Sequence, residues 1–391
     1  MIRLGQLDPP EMVPYSKIGS GEEPWNSVEH KQLARLATQE SIVLLKNVNK
    51  MLPLDAKSVK SVAVIGPYAD QVLLDWYSGT PPYSVSALEG IQERLGNSKV
   101  RFARNNDGGA AAKIARESDV AILVVGNHPE CDAGWEQCPL PSDGKEAVDR
   151  KSITLEREEL VKEVYAVNPR TVVLLIASFP YAINWSAEHV PAILQMTHNS
   201  EELGNALVDV LFGDYNPAGR LVHTWPRSLD QLPPMMDYNL RDGRTYMYFK
   251  GEPLYPFGYG LSYSHFSYQN LRVEPRQDGS AVVVDVDVTN RGDRAGDEVV
   301  QLYASYPGSR VSRPKEQLVG FRRVQLGLGE TKTVRMKVTA ESIAYWDASR
   351  KSMVVESGEL KLMVGASSAD VRLQRAIEIP KEGVLDSATK P

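Results

Sequence analysis

The side chains of this 391-residue chain that could do chemistry crowd into one polar stretch, GNHPECDAGWEQCPLPSDGKEAVDRKSITL at 126–155. Glu146, inside KEAVDR at 145–150, is the group to single out. A carboxyl that protonates a leaving group near neutral pH needs a raised pKa, which burial or a neighbouring carboxylate supplies. Asp149 and Arg150 stand close enough in sequence to position it. Asp132, Glu136 and Asp143 share the stretch and could in principle provide a second carboxylate. Spacing alone leaves another account open, because a glutamate in a polar loop is mostly solvated. His128, Cys131 and Cys138 are zinc-type donors, but a fourth at the usual spacing is lacking, so no metal is assigned. The Cys-x6-Cys spacing permits one small disulfide without requiring it. His198 and Asn199 follow an apolar run and could serve the site or simply the structure. No Gly-x-Ser-x-Gly elbow and no Gly-x-x-x-x-Gly-Lys loop occurs.

The elements around this stretch determine where it stands. It begins where the apolar run VAILVVG at 120–126 ends, and open α/β sheets gather ligands at the carboxyl ends of their strands. Strand-sized runs at 61–66, 100–103, 120–126, 171–178 and 192–196 alternate with helical patterns near 87–95, 110–117, 155–165 and 201–212. That order predicts an α/β sandwich, a mostly parallel sheet with helices on both faces, over 26–262. A further helix is expected from Asn26, with Glu29 at capping distance and apolar residues from Leu33 through Leu45, closing at Lys46 and Asn47. The first βα turn, GPYAD at 66–70, lacks the dinucleotide fingerprint. After 263 the texture becomes alternating strands, which predicts an all-β sandwich of fibronectin III or immunoglobulin type over 263–380. Residues 1–25, rich in Pro and Gly, read as an inter-domain linker stub, and 381–391 as a polar tail.

Composition narrows the class. Apolar residues make up 42% and charged residues 24%, ordinary for a globular chain. A formal net charge of −6 without basic clusters argues against nucleic acid. No apolar run approaches the ~18 residues of a membrane span. The first residues show no charged leader followed by an apolar stretch, and two cysteines leave the compartment open. As part of a full-length precursor the chain would be periplasmic or secreted.

Four groups of residues resemble glycoside hydrolase family 3: ESIVLLKN at 40–47 before LPL at 52–54; NPAGR at 216–220; RTYMYF at 244–249 with YPFGYGLSY at 255–263; and VVQLY at 299–303 with Arg313-Pro314 and Gly320-Phe321. Together they span nearly the whole chain in family order. The resemblance implies a β-glucosidase or β-xylosidase built as a (β/α)8 barrel, an α/β sandwich and a fibronectin-like domain. This chain resembles only the last two parts, with RLGQLDPP at 3–10 similar to the connector leaving the barrel. The family's acid/base glutamate lies in a sandwich-domain loop four residues before an Arg, an arrangement that Glu146, Arg150 and ITL at 153–155 match. The resemblance therefore implies Glu146 as acid/base supported by Asp149 and Arg150, with the Asp nucleophile in a barrel this sequence does not contain.

Retaining hydrolysis needs its two carboxyl groups about 5–5.5 Å apart, so this chain alone is expected to be inactive. Trp135, Trp76, Lys145 and Asp143 are expected to touch a β-linked oligosaccharide or β-glycoside on its leaving side, aromatic faces being suited to sugar rings. No cofactor is implied. The partner is the barrel, and an uncovered docking face would otherwise favour self-association. Glucose and xylose both stay open, because the resemblance places the sugar's own subsite in the barrel. The rival is a non-catalytic carbohydrate-binding or scaffold protein holding a sugar against Trp135. The aromatic stretch 246–263 reads as a packing strip between domains.

Overall fold

The computed structural model describes residues 5, 7–13, 16, 23–75, 77–130, 145, 150–198, 200–275 and 281–385. Its first layer begins with helix α1 (Val28–Ser41) and strand β1 (Val43–Asn47), followed by β2 (Val62–Ile65), α2 (Ala87–Leu95), β3 (Val100–Ala103), α3 (Ala110–Arg116) and β4 (Val120–Gly126). It continues with α4 (Glu158–Val167), β5 (Thr171–Ile176), α5 (Asn184–His189), β6 (Ala192–Met196) and α6 (Leu203–Phe212). The six strands form one sheet in the order β1-β6-β5-β4-β2-β3. Neighbours from β3 to β6 run parallel, whereas β1 is antiparallel to β6.

Parallel strands covered on both faces must be apolar on both, and β2, β4, β5 and β6 are buried throughout. Alternate residues sort to opposite sides. Val62, Val64, Ile122, Val124 and Leu174 join Leu88 and Ile91 of α2 and Leu207 of α6 in one core. Ala63, Ile65, Leu123, Val125 and Leu175 join Ala111 and Ala115 of α3 and Val161 and Val164 of α4 in the other. The capping box of α2, Ser86 with Glu89, fixes its start.

One expectation fails. The helix predicted from Asn26 to Asn47 is N-capped by Ser27, whose hydroxyl accepts from His30 N, and it stops at Ser41. Ile42, Val43, Leu44 and Leu45 are all 3% exposed or less. Four consecutive residues cannot all lie on the single buried stripe of a surface helix. A strand buries them by turns, Ile42 and Leu44 into one core and Val43 and Leu45 into the other. The short α5 was also not expected.

The second layer set follows α7 (Thr245–Tyr248). It comprises β7 (Phe266–Pro275), β8 (Ala281–Asn290), β9 (Gly296–Ser305), β10 (Gln317–Leu326), β11 (Thr331–Thr339), α8 (Ala340–Ile343), β12 (Tyr345–Asp347), β13 (Ser352–Val355), β14 (Gly358–Ser367), β15 (Asp370–Ile379) and β16 (Gly383–Leu385). These strands form antiparallel sheets β10-β9-β14-β15, β11-β8-β7 and β12-β13-β16. The first two share a core in which Val284, Val286 and Val288 meet Leu302, Leu360 and Leu362. This is the expected all-β sandwich, with a small third sheet beside its two main ones.

The aromatic stretch packs the seam between the layers. Tyr246 stacks on Phe257 at 4.1 Å and meets Tyr303 edge-on at 6.1 Å. The Tyr246 hydroxyl accepts from Leu318 N, and Phe257 O accepts from Ser368 N. Arg220 pairs with Glu298 across the seam at 3.1 Å, both side chains nearly sequestered from water. Arg323 binds Glu40, Asp297 and the Tyr215 hydroxyl.

Candidate active site

The carboxyl edge of the α/β sheet is where strand exits converge. β4 ends at Gly126, whose φ is 148° and whose missing Cβ would lie 1.7 Å from Ile176 O. Gly66, just past β2, has φ 131° and would bring a Cβ within 2.0 Å of Val124 O. Both positions therefore require glycine, and the chain can turn out of the sheet there without parting the strands.

The residues after Gly126 are tied to the exits of β5 and β6. Asn127 N donates to Ile176 O at 3.1 Å, and Asn127 Oδ1 accepts from Ser178 N at 3.0 Å. Asn127 O accepts from His198 Nε2 at 2.7 Å. A carbonyl can only accept, so Nε2 carries the proton. In the neutral ring Nδ1 then accepts from the Ser178 hydroxyl at 2.9 Å. Burial holds the His198 pKa below its ordinary 6.5, and nearby His128 adds to this against the opposing pull of the Asn127 bond and of Asp75. His128 is itself buried, with Nδ1 accepting from Glu130 N and its ring edge-on to Tyr68.

The far end of the polar stretch returns to the same place. The Arg150 guanidinium lies 4.0 Å from the Phe179 ring centre and 4.7 Å from that of Tyr181, and Ala182 N donates to Ile153 O. Residues 178–182, leaving β5, thus hold both the departing and the returning chain. Next to them is a cavity of about 250 Å³ whose lining includes Ser178, Phe179, Thr197, Glu40 and His223. Ser178 and His198 form the pairing that nucleophilic catalysis uses. Ser178 N, however, which an oxyanion hole could draw on, is spent on Asn127 Oδ1. The pair serves here as an anchor for the strand exits.

Of the sequence-predicted site residues, Arg150 reaches this edge and Lys145 is half-buried. Glu146, Asp149, Asp143, Trp135 and Trp76 lie outside the described residues, as do Cys131, Cys138 and Asn199. His198 was named from its position at a strand end. Ser178 and Asn127 were not singled out, although each follows an apolar run directly. Among the described residues no group of three or more His, Cys, Asp or Glu side chains could hold a metal ion, and no helix is long and apolar enough to cross a membrane.

Comparison with known proteins matches residues 42–263 to the glycosyl hydrolase family 3 C-terminal domain and residues 298–368 to a fibronectin type III-like domain. A β-xylosidase of Formosa agariphila is 34% identical over 94% of this chain and 52% of its own length. A periplasmic β-glucosidase of Salmonella typhimurium is 33% identical over 92% of this chain and 52% of its own. In the crystal structure of the β-glucosidase of Bifidobacterium adolescentis, 27% identical, the superposition has a TM-score of 0.82 and covers 94% of this chain and 56% of that one. The chain spans about half the length of the curated relatives it matches.

Proposed function

The chain belongs to glycosyl hydrolase family 3, and from that premise we propose that it forms the acid/base half of a retaining exo-β-glycosidase acting on terminal β-D-glucosyl or β-D-xylosyl residues. Glu146 protonates the glycosidic oxygen and then activates the water that releases the sugar. The nucleophilic Asp comes from a barrel outside these 391 residues. Asp149 and Arg150 position Glu146, while Trp135, Trp76, Lys145 and Asp143 line the leaving-group side. The observation that carries this reading is the double anchorage at the sheet's carboxyl edge: the chain departs at Asn127 and returns at Arg150 onto the single exit of β5. A loop fixed at both ends can present a carboxyl to a second carboxylate on an apposed domain.

The outer face of α1 supports a partner there. Leu33 and Leu36 of α1 are exposed, as are Trp25 just before the helix and Val28 at its first position, while Arg35 and Gln39 bind Asp209 of α6. A barrel covering this face would remove those side chains from water. The periplasm or the exterior is the proposed location, in keeping with the periplasmic relative.

The test is complementation with an aryl β-glucoside and an aryl β-xyloside. The 391-residue protein alone should give no turnover above buffer, and the same protein joined to a family 3 barrel should be active. Turnover by the chain alone at a rate comparable to the joined protein would sink the proposal. Saturable sugar binding by the chain alone, with no gain on adding the barrel, would favour a binding or scaffold role.

A further inference from the structure

A second cavity, about 440 Å³, lies on the seam between the α/β layer and the β-sandwich, and Arg220 lines both it and the cavity beside Ser178. That volume falls within the roughly 300–1,000 Å³ of small-molecule sites. Its charged lining comprises the cations Lys50, Arg220, Arg294 and Arg372 and the carboxylates Asp293, Glu298 and Asp370. Each carboxylate is engaged. Glu298 receives Arg220 Nη2 at 3.1 Å and the Tyr268 hydroxyl at 2.6 Å. Asp370 receives Arg372 through two bonds of 2.5 and 2.7 Å, and Asp293 receives Lys50 Nζ at 3.2 Å.

Donors are left over. The Arg220 side chain is only 9% exposed, and its Nε–H is buried with no hydrogen-bond partner among the described residues. Arg294 Nε is also buried without one, lying 3.7 Å from Asp293 Oδ1, beyond hydrogen-bond range. A buried guanidinium N–H without an acceptor is unfavourable, and an oxyanion is the acceptor that a guanidinium matches best. The wall also carries aromatic rings, Phe266 and the rings of Tyr263 and Tyr268, over which Arg294 and Arg372 lie at 5.4 and 5.9 Å.

We propose that this seam cavity binds a sugar acid, a monosaccharide-sized ring bearing a carboxylate. The carboxylate meets Arg220 and Arg294, the ring lies along the aromatic wall, and its hydroxyls donate to the remaining lone pairs of Asp293 and Asp370. The excess of donors selects a carboxylate over a neutral sugar. The volume and the aromatic wall select a ring over a bare inorganic ion. The proposal is argued from the seam residues alone and not from Glu146, so its fate does not depend on the catalytic reading.

Calorimetric titration of the 391-residue protein with D-glucuronate, D-glucose and sodium sulfate tests it, using wild type, Arg294→Gln and Arg294→Lys. Glucuronate should bind saturably at one site, at least tenfold more tightly than glucose or sulfate. Arg294→Gln, with an unchanged unfolding midpoint, should weaken glucuronate at least tenfold; if that variant unfolds, Arg294→Lys, which keeps the charge and removes the Nε–H, should show the same weakening. Absence of saturable glucuronate binding overturns the proposal and leaves the cavity to solvent. Equal affinity for glucose or sulfate also overturns it, as does glucuronate binding that neither substitution changes.

Discussion

At the scale of single residues the account rests on protonation states fixed by hydrogen bonding. His198 is held neutral by burial, with Nε2–H committed to Asn127 O and Nδ1 facing the Ser178 hydroxyl. Its folded pKa lies below the ordinary 6.5, so below that pH the unfolded chain binds more protons than the folded one. The stability this residue contributes is complete above pH 6.5 and is lost as pH falls through the folded pKa. Urea unfolding at pH 7.5 and pH 5.5 should therefore show a larger loss for wild type than for His198→Gln, which keeps a donor without titrating. An equal loss in both proteins would contradict this assignment. The family resemblance singles out Glu146 and Arg150 through a short local motif; of the two, Arg150 reaches the sheet edge and Glu146 lies outside the described residues. The Asn127 and Ser178 contacts could not be read from the sequence, because they are made by backbone groups whose partners come from other strands.

At the scale of elements the sheet edge is set by glycine and by alternation. At Gly126 a Cβ would meet Ile176 O at 1.7 Å, with φ at 148°. Gly126→Ala should cost about 3 kcal/mol, combining overpacking and backbone strain, measured as a lower urea midpoint with an unchanged m-value. A loss below about 0.5 kcal/mol would show that the strand exits can part freely. The parallel core was legible because its runs are short, β-rich and apolar on every residue. β1 was not, because its apolar run directly continues the helical spacing of α1. Only the choice between one buried face and two separates them, and that choice is made by the antiparallel pairing with β6.

At the scale of the molecule the seam and the open face of α1 make different predictions. Arg220→Leu would strand Glu298, only 4% exposed, without its cation, an effect of about 3–5 kcal/mol in unfolding free energy. Calorimetry should then register a marked fall in the melting temperature, and an unchanged melt would contradict a sequestered pair. Leu33→Glu with Leu36→Glu on the exposed helix face should leave that melt nearly unaltered while weakening association with the barrel, as sedimentation of mixed chains would report. The order of an α/β layer followed by a β-sandwich was plain from the change in periodicity after 263, whereas the contacts joining them depend on folded geometry. The central claim is that Glu146 is the proton donor of a site completed by another domain. Its most direct test is Glu146→Gln in the barrel-joined protein, assayed with a p-nitrophenyl glycoside and an alkyl glycoside. The alkyl substrate, whose poor leaving group needs protonation, should lose about 10²–10⁴-fold in kcat/KM, and the activated aryl substrate far less. Equal losses on both substrates, or no loss on either, would contradict it.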